Sequence, residues 1–172
     1  MTEQAANSLH IESSRKVASM IDVSPSELAQ YAFAVNKIEN RPLDPKARNK
    51  SSSARGMMQM LLGTQKELET KYLKVSHVPD NIFKPDYAIY LGQYELARQY
   101  KRYKGDWRKA IHAYNRGSYQ PTKSNTKGFA YGENYANSVV NMLYKTDFAS
   151  LNSGAGGDTT AASLSLSHKE WS

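Results

Sequence analysis

The segment that most restricts this fold runs from Ser24 to Pro42, because its local chemistry sets both ends of one helix. Ser24 offers a capping hydroxyl, Pro25 suits a first helical position, and Glu27 closes a capping box three residues on. Leu28, Tyr31, Ala32, Val35 and Ile38 then recur at helical spacing and predict one apolar stripe. Pro42 cannot continue the helix, and Arg41 before it is pushed out of the α region. The helix is therefore expected to end at Glu39 or Asn40, which leaves Glu39 in the last turn at the edge of the core.

The rest of the chain punctuates in the same style. Residues 40–56 are polar, contain two prolines and read as a long loop. Gly56-Met57-Met58-Gln59-Met60-Leu61-Leu62 is an apolar island with one polar residue inside it, and its methionines are expected in the core. Thr64 and Glu67 form a second capping box, predicting a helix to about Leu73. Residues 74–84 read as a loop. Pro85-Asp86 opens a helix carrying Ala88, Ile89, Leu91, Gly92, Leu96, Tyr100 and Tyr103 mostly on one side. Gly105-Asp106 breaks it, a short helix follows from Trp107 to about Arg116, and a last one spans Tyr135 to Tyr144. No stretch alternates with the period of a strand, so the body is predicted to be mainly α. The expected organisation is an N-terminal helical extension (1–22), one domain (23–148) and a Ser/Gly/Ala-rich tail (149–172). The tail is read as a tether or docking element for a larger assembly.

Composition excludes several chemistries. The 172 residues include no cysteine, so thiolate nucleophiles and thiolate metal sites are ruled out. Four histidines (His10, His77, His112 and His168) lack metal-ligand spacing, and neither a metal nor a cofactor is expected. There is no nucleophile elbow, phosphate loop or dinucleotide fingerprint. Residues 1–20 hold no apolar run of signal-peptide kind, and no window suits a membrane span. The chain is therefore expected to start out in the cytoplasm. The net charge is +7, with +8 in residues 1–149, which favours a polyanionic partner such as nucleic acid, an anionic membrane face or a cell wall. The Tyr- and Lys/Arg-rich run from Tyr94 to Lys109 forms no specific nucleic-acid motif. Twelve tyrosines suit a carbohydrate groove or partly buried helix faces.

What remains is carboxylate chemistry, with Glu39 the leading candidate. Partial burial and the negative end of a helix dipole both raise the pKa of a carboxyl placed there. A carboxylic acid kept protonated near neutral pH is what cleavage of a glycosidic bond requires. No obvious second catalytic carboxylate pairs with it, and Asp44 reads as ordinary loop chemistry before a proline.

The stretch IENRPLDPKARNKSSSARGMMQM, beginning at Ile38, resembles the soluble lytic transglycosylase family. That family reads I-E-S, a loop with N-P-x-A, then G-A-x-G-L-M-Q. Asp44-Pro45-Lys46-Ala47 and Ala54-Arg55-Gly56-Met57-Met58-Gln59 take those places here. Leu91-Gly92 and Leu96 are similar to the helix before the family's third motif. Gly105-Asp106 and Ala110-Ile111-His112-Ala113-Tyr114-Asn115-Arg116-Gly117 resemble its G-D and A-L-x-A-Y-N-x-G. Tyr135 and Val139 resemble its closing Y-V-x-x-V. The match keeps family order over residues 28–144. It departs at Asn40 (usually Ser), Ser53 (usually Gly), Ala88 (usually Asn) and Tyr131 (usually Glu), and the loop from Glu39 to Gln59 is about two residues longer.

The resemblance implies a lysozyme-like fold of the goose-type lysozyme and lytic transglycosylase kind. It implies peptidoglycan as the substrate, with Glu39 as the single catalytic acid and base. Gln59 would line the sugar groove, or else cap a loop at the core edge. Tyr114 would lie near the acid. Asn115 would touch substrate or brace the loops, or only cap its helix. Tyr135 would bond near the acid, or only pack. The function it implies is a lytic transglycosylase; a hydrolysing muramidase and a non-catalytic virion or assembly protein are the alternatives. Delivery to the wall in a phage virion is the expected route, with release through a holin the alternative.

Overall fold

The structure is a computed structural model and describes residues 1–121 and 126–153; most of the tail lies outside the described residues. Among the described residues there are seven α-helices: α1 (Glu3–Ala18), α2 (Pro25–Glu39), α3 (Leu62–Glu67), α4 (Pro85–Arg102), α5 (Trp107–Arg116), α6 (Thr126–Lys145) and α7 (Phe148–Ser153). A π-helical turn, Leu68–Tyr72, prolongs α3, and a 3-10 turn, Pro79–Phe83, precedes α4. Among the described residues there is no strand, only isolated bridges of Arg55 with Arg48 and with Met60.

The second helix starts and stops where its sequence dictates. Ser24 Oγ accepts the Glu27 amide, Pro25 opens the helix, and the Asn40 amide closes the last turn on the Asn36 carbonyl. One expectation is corrected. Instead of one buried stripe, α2 is buried on every side from Leu28 to Asn36, Gln30 and Asn36 included. It is the central helix, with α1, α4 and α6 packed around it. A helix enclosed in this way loses its polar face, because no side is left to solvate.

The apolar stripe of α4 is buried from Ala88 through Leu96, and Met57, Met58 and Met60 are core residues as expected. Aromatic stacking joins the helices: the Trp107 ring lies 4.5 Å from Tyr31 and 4.2 Å from Tyr100. Gly92 is where α4 meets the methionine segment. A Cβ there would stand 2.6 Å from Met58 Cγ and 2.9 Å from Met58 Cβ. Met58 Cβ is tied to its backbone and cannot swing aside. Gly92→Ala is therefore expected to cost about 1–3 kcal/mol despite the better helix propensity of alanine. A urea melt with an unchanged midpoint would contradict this.

Other boundaries differ from the sequence reading. Thr64 is not a cap: α3 begins at Leu62, two residues earlier, and its first amide is held by Ser53 Oγ at 3.0 Å. A hydroxyl from another segment has supplied the cap, which no local pattern reveals. The last long helix begins at Thr126, not Tyr135, because Gly132, Tyr135, Ala136 and Val139 share one buried face. The first residues of the Ser/Gly/Ala-rich segment belong to α7, anchored by buried Phe148 against Phe33 and by Asn152 Oδ1, which accepts Asn7 Nδ2 at 2.8 Å.

A buried polar chain fixes the frame behind the groove. Gln93 Nε2 donates to His10 Nδ1, His10 Nε2 meets Asn36 Oδ1, each at 3.0 Å, and Asn36 Nδ2 donates to the Met57 carbonyl at 2.7 Å. This links α4, α1, α2 and the methionine segment. Burial lowers the pKa of His10 to about 4, so the ring is neutral and can both accept and donate. His10 is thus a structural histidine. Among the described residues no cluster of His, Asp or Glu could hold a metal, and no helix is long and apolar enough to cross a membrane.

Candidate active site

A groove of about 520 Å³ opens at the C-terminal end of α2. Glu39 lies at its floor, the loop after α2 forms one wall, and α4 and the end of α5 form the other. Lining it are Gln59 and Met60 from the loop side, Glu95 from α4, Tyr114 and Asn115 from α5, and Tyr131 from α6.

Glu39 is the last residue of α2, as the helix-stop signals require. Burial raises its pKa to about 7, with the hydrogen bond from Tyr135 opposing the shift. Taking a carboxylate out of water penalises the charged form, and this outweighs the hydrogen bond. Tyr135 Oη donates to Glu39 Oε2 at 2.8 Å from the buried face of α6. Its single hydrogen favours the carboxylate and fixes the plane of the carboxyl group. In Tyr135→Phe the opposing interaction disappears, so the pKa of Glu39 is expected to rise further. The upper limb of any pH–activity profile governed by Glu39 would then move to higher pH, and an unmoved limb would count against this coupling.

The loop wall is built by backbone geometry. Gly56 and Gln59 both have positive φ, +79° and +51°. Gln59 Nε2 donates to the carbonyls of Gly56 (3.0 Å) and Ala47 (3.3 Å). Gln59 thus braces the loop with its donor, and its side chain also lines the groove. Asn40 ties the loop together: Nδ2 donates to the Asp44 carbonyl at 2.8 Å and to the Gly56 carbonyl at the loop's end at 3.4 Å, and Oδ1 accepts the Asp44 amide at 3.2 Å. Asp44 itself accepts the Lys46 amide at 2.9 Å and does not line the groove. Its role is that of an ordinary turn carboxylate.

Tyr114 comes from α5 and does not bond to Glu39. Its hydroxyl donates to the Met58 carbonyl at 2.9 Å, pinning the methionine segment. Burial, then the negative charges of Glu39 and Glu95, raise its pKa well above the usual tyrosine value. The neutral phenol is the only form this site tolerates. Asn115 is not the helix cap. Gly117, with φ +89°, closes α5 in the left-handed region and donates its amide to Ala113. Asn115 Oδ1 is buried in the groove wall with no hydrogen-bond partner among the described residues. A buried unpaired acceptor is costly unless a donor arrives from outside.

Sequence reasoning missed Glu95. It sits in the buried face of α4, four residues from both Leu91 and Gln99, and is 7% exposed. The available signal was an acidic residue inside an otherwise buried stripe.

A helical body with a polar groove and an acid held near neutrality in it defines a class: proteins equipped for general-acid chemistry. Residues 19–137 match the transglycosylase SLT domain, and the chain belongs to that family. Its fold is accordingly lysozyme-like, its activity of the glycan-cleaving, lytic transglycosylase type, and its substrate peptidoglycan. No curated protein matches the chain.

Proposed function

We propose that the groove cleaves the β-1,4 bond between N-acetylmuramic acid and N-acetylglucosamine and leaves a 1,6-anhydro end. The observation that carries this reading is Glu39 in the groove, its pKa raised to about 7 by burial and its carboxyl group held by the Tyr135 hydroxyl. Glu39 gives its proton to the bridging oxygen as the bond from C1 to that oxygen breaks. The muramoyl C6 hydroxyl then attacks C1, and Glu39, now a carboxylate, takes the hydroxyl proton. The acid is restored, and neither water nor a protein nucleophile is consumed.

Gln59 and Asn115 hold the strand in this reading. Gln59 keeps its amide oxygen for the ligand, and the unpaired Oδ1 of Asn115 accepts a sugar N–H or O–H. Tyr114 supports the reaction indirectly, through the Met58 carbonyl.

Mass spectrometry of the soluble fragments released from purified peptidoglycan tests the proposal. Anhydro-ended muropeptides are expected. Reducing ends alone would make the chain a hydrolysing muramidase on the same fold. No release at all would leave a scaffold. The free enzyme must carry a protonated Glu39, so kcat/KM is expected to fall as pH rises above about 7.

A further inference from the structure

Glu95 has no part in a one-carboxylate scheme, yet its setting is that of a functional group. Its carboxylate is nearly buried and faces the same groove as Glu39. The two oxygens are used unequally. Oε1 accepts Gln99 Nε2 at 2.7 Å and Arg98 Nη2 at 3.2 Å, whereas Oε2 has only a long contact of 3.4 Å with the same Arg98 nitrogen. Arg98 is itself held away from the groove: Nη1 donates to Tyr72 Oη at 2.9 Å, and the guanidinium lies 4.4 Å from the centre of the Tyr72 ring. The carboxylate is thus fixed from behind, with one oxygen left over.

Its neighbours point the same way. Asn115 Oδ1 is an unsatisfied acceptor in this groove, and the hydroxyl of Tyr114 is turned to Met58. The wall formed by α4 and α5 therefore presents the Glu95 carboxylate, backed by Arg98 and Gln99, beside the unpaired Asn115 Oδ1, with Arg116 at the end of α5 as the cation that also lines the groove. Neutral sugars need no such charge. Cleavage of a glycosidic bond creates one of the opposite sign, because the ring becomes oxocarbenium-like as the bond to C1 breaks.

We propose that Glu95 is a second functional carboxylate of this groove, stabilising the positive charge that develops on the sugar ring while Glu39 delivers the proton. This rests on the glycan-cleaving reading above. A fixed carboxylate in a site sheltered from water interacts with such charge more strongly in the transition state than in the ground state, which is the condition for raising kcat. No proton or electron moves to Glu95; its contribution is electrostatic.

The test compares two ligands and two variants by calorimetry: a protonated iminosugar analogue of N-acetylglucosamine, and a neutral N-acetylglucosamine tetramer. Glu95→Gln keeps the shape and an acceptor for Gln99 and Arg98. It is expected to lose about tenfold or more in affinity for the cation with the tetramer unchanged. On peptidoglycan its kcat should fall by a similar factor with KM within about twofold. Arg98→Met removes the neutralising guanidinium and keeps an aliphatic stem. It should strengthen binding of the cation and leave the tetramer alone, an opposite sign that a purely structural role for Glu95 does not produce. Wild type binding both ligands equally overturns the proposal. So does Glu95→Gln weakening both or neither, or Arg98→Met failing to favour the cation. In each of those cases an active wild type leaves the glycan-cleaving reading standing. A wild type that neither cleaves peptidoglycan nor binds either ligand overturns both together.

Discussion

Glu39→Gln is expected to abolish peptidoglycan cleavage and, at the same time, to make the protein more stable. An amide cannot donate the proton, so the rate should fall by about 10²- to 10⁴-fold in a turbidity or fragment-release assay. The stability gain follows from the same burial that tunes the acid. The native pKa of Glu39 is raised from 4.5 to about 7. A raised native value means that the contribution of Glu39 to stability is most favourable below pH 4.5, where this group is protonated in both native and unfolded chains. That stability is lost as pH rises through about 7, because the unfolded chain ionises freely while the buried carboxyl resists. Glutamine has no charge to bury and can still accept the Tyr135 hydroxyl. At pH 8 the variant should exceed wild type by up to about 3 kcal/mol, with the gap closing below pH 4.5. Denaturant melts at the two pH values measure it. Equal stability at pH 8, or full activity at any pH, would remove Glu39 from the role given to it.

Gly56→Ala is expected to be the most damaging single methyl group in the site. Gly56 has φ +79°, and a Cβ there would stand 2.5 Å from the Ile82 carbonyl oxygen and 3.3 Å from Ile82 Cγ1. The nearest obstacle is backbone and cannot rotate away. Left-handed strain and overpacking together amount to about 3–5 kcal/mol. The damage would not stay local. The Gly56 amide donates to Ala47 at 2.8 Å, and its carbonyl accepts both the amide and the side chain of Gln59. Displacing Gly56 therefore displaces the loop wall of the groove, and activity should fall along with stability. A variant within about 1 kcal/mol of wild type in a urea melt would show that this turn can give way.

These two positions differ in how far the sequence announces them. Gly56 is visible as a glycine between a polar loop and an apolar island, but the reason for it, the Ile82 carbonyl, comes from residues 26 positions away. Gln59 is visible as a polar residue interrupting methionines, yet its positive φ and its hold on Ala47 are not. Glu95 falls between Leu91 and Gln99 in a helix whose buried face the sequence already outlined, but nothing in the local pattern gave it a role. Only the packing of α5 and the loop over α4 turns that position into a groove wall. Ser53 in turn caps a helix from a neighbouring loop, a pairing that no spacing rule contains.

Local chemistry determined the ends of α2, the breaks around Gly105 and Gly117, the helical class of the body and the position of Glu39 at a helix terminus. Caps, prolines, glycines and apolar spacing act over a few residues, so a linear string is enough to read them. Tertiary structure decided that α2 is enclosed on all sides, and that α1 supplies a neutral histidine to the frame. It also decided that Tyr135 reaches Glu39 across 96 positions and that Glu95 shares the groove. Desolvation and hydrogen-bond pairing depend on what surrounds a group in space. A carboxyl at the end of a helix therefore became an acid near neutrality only once α6 and the loop had closed around it.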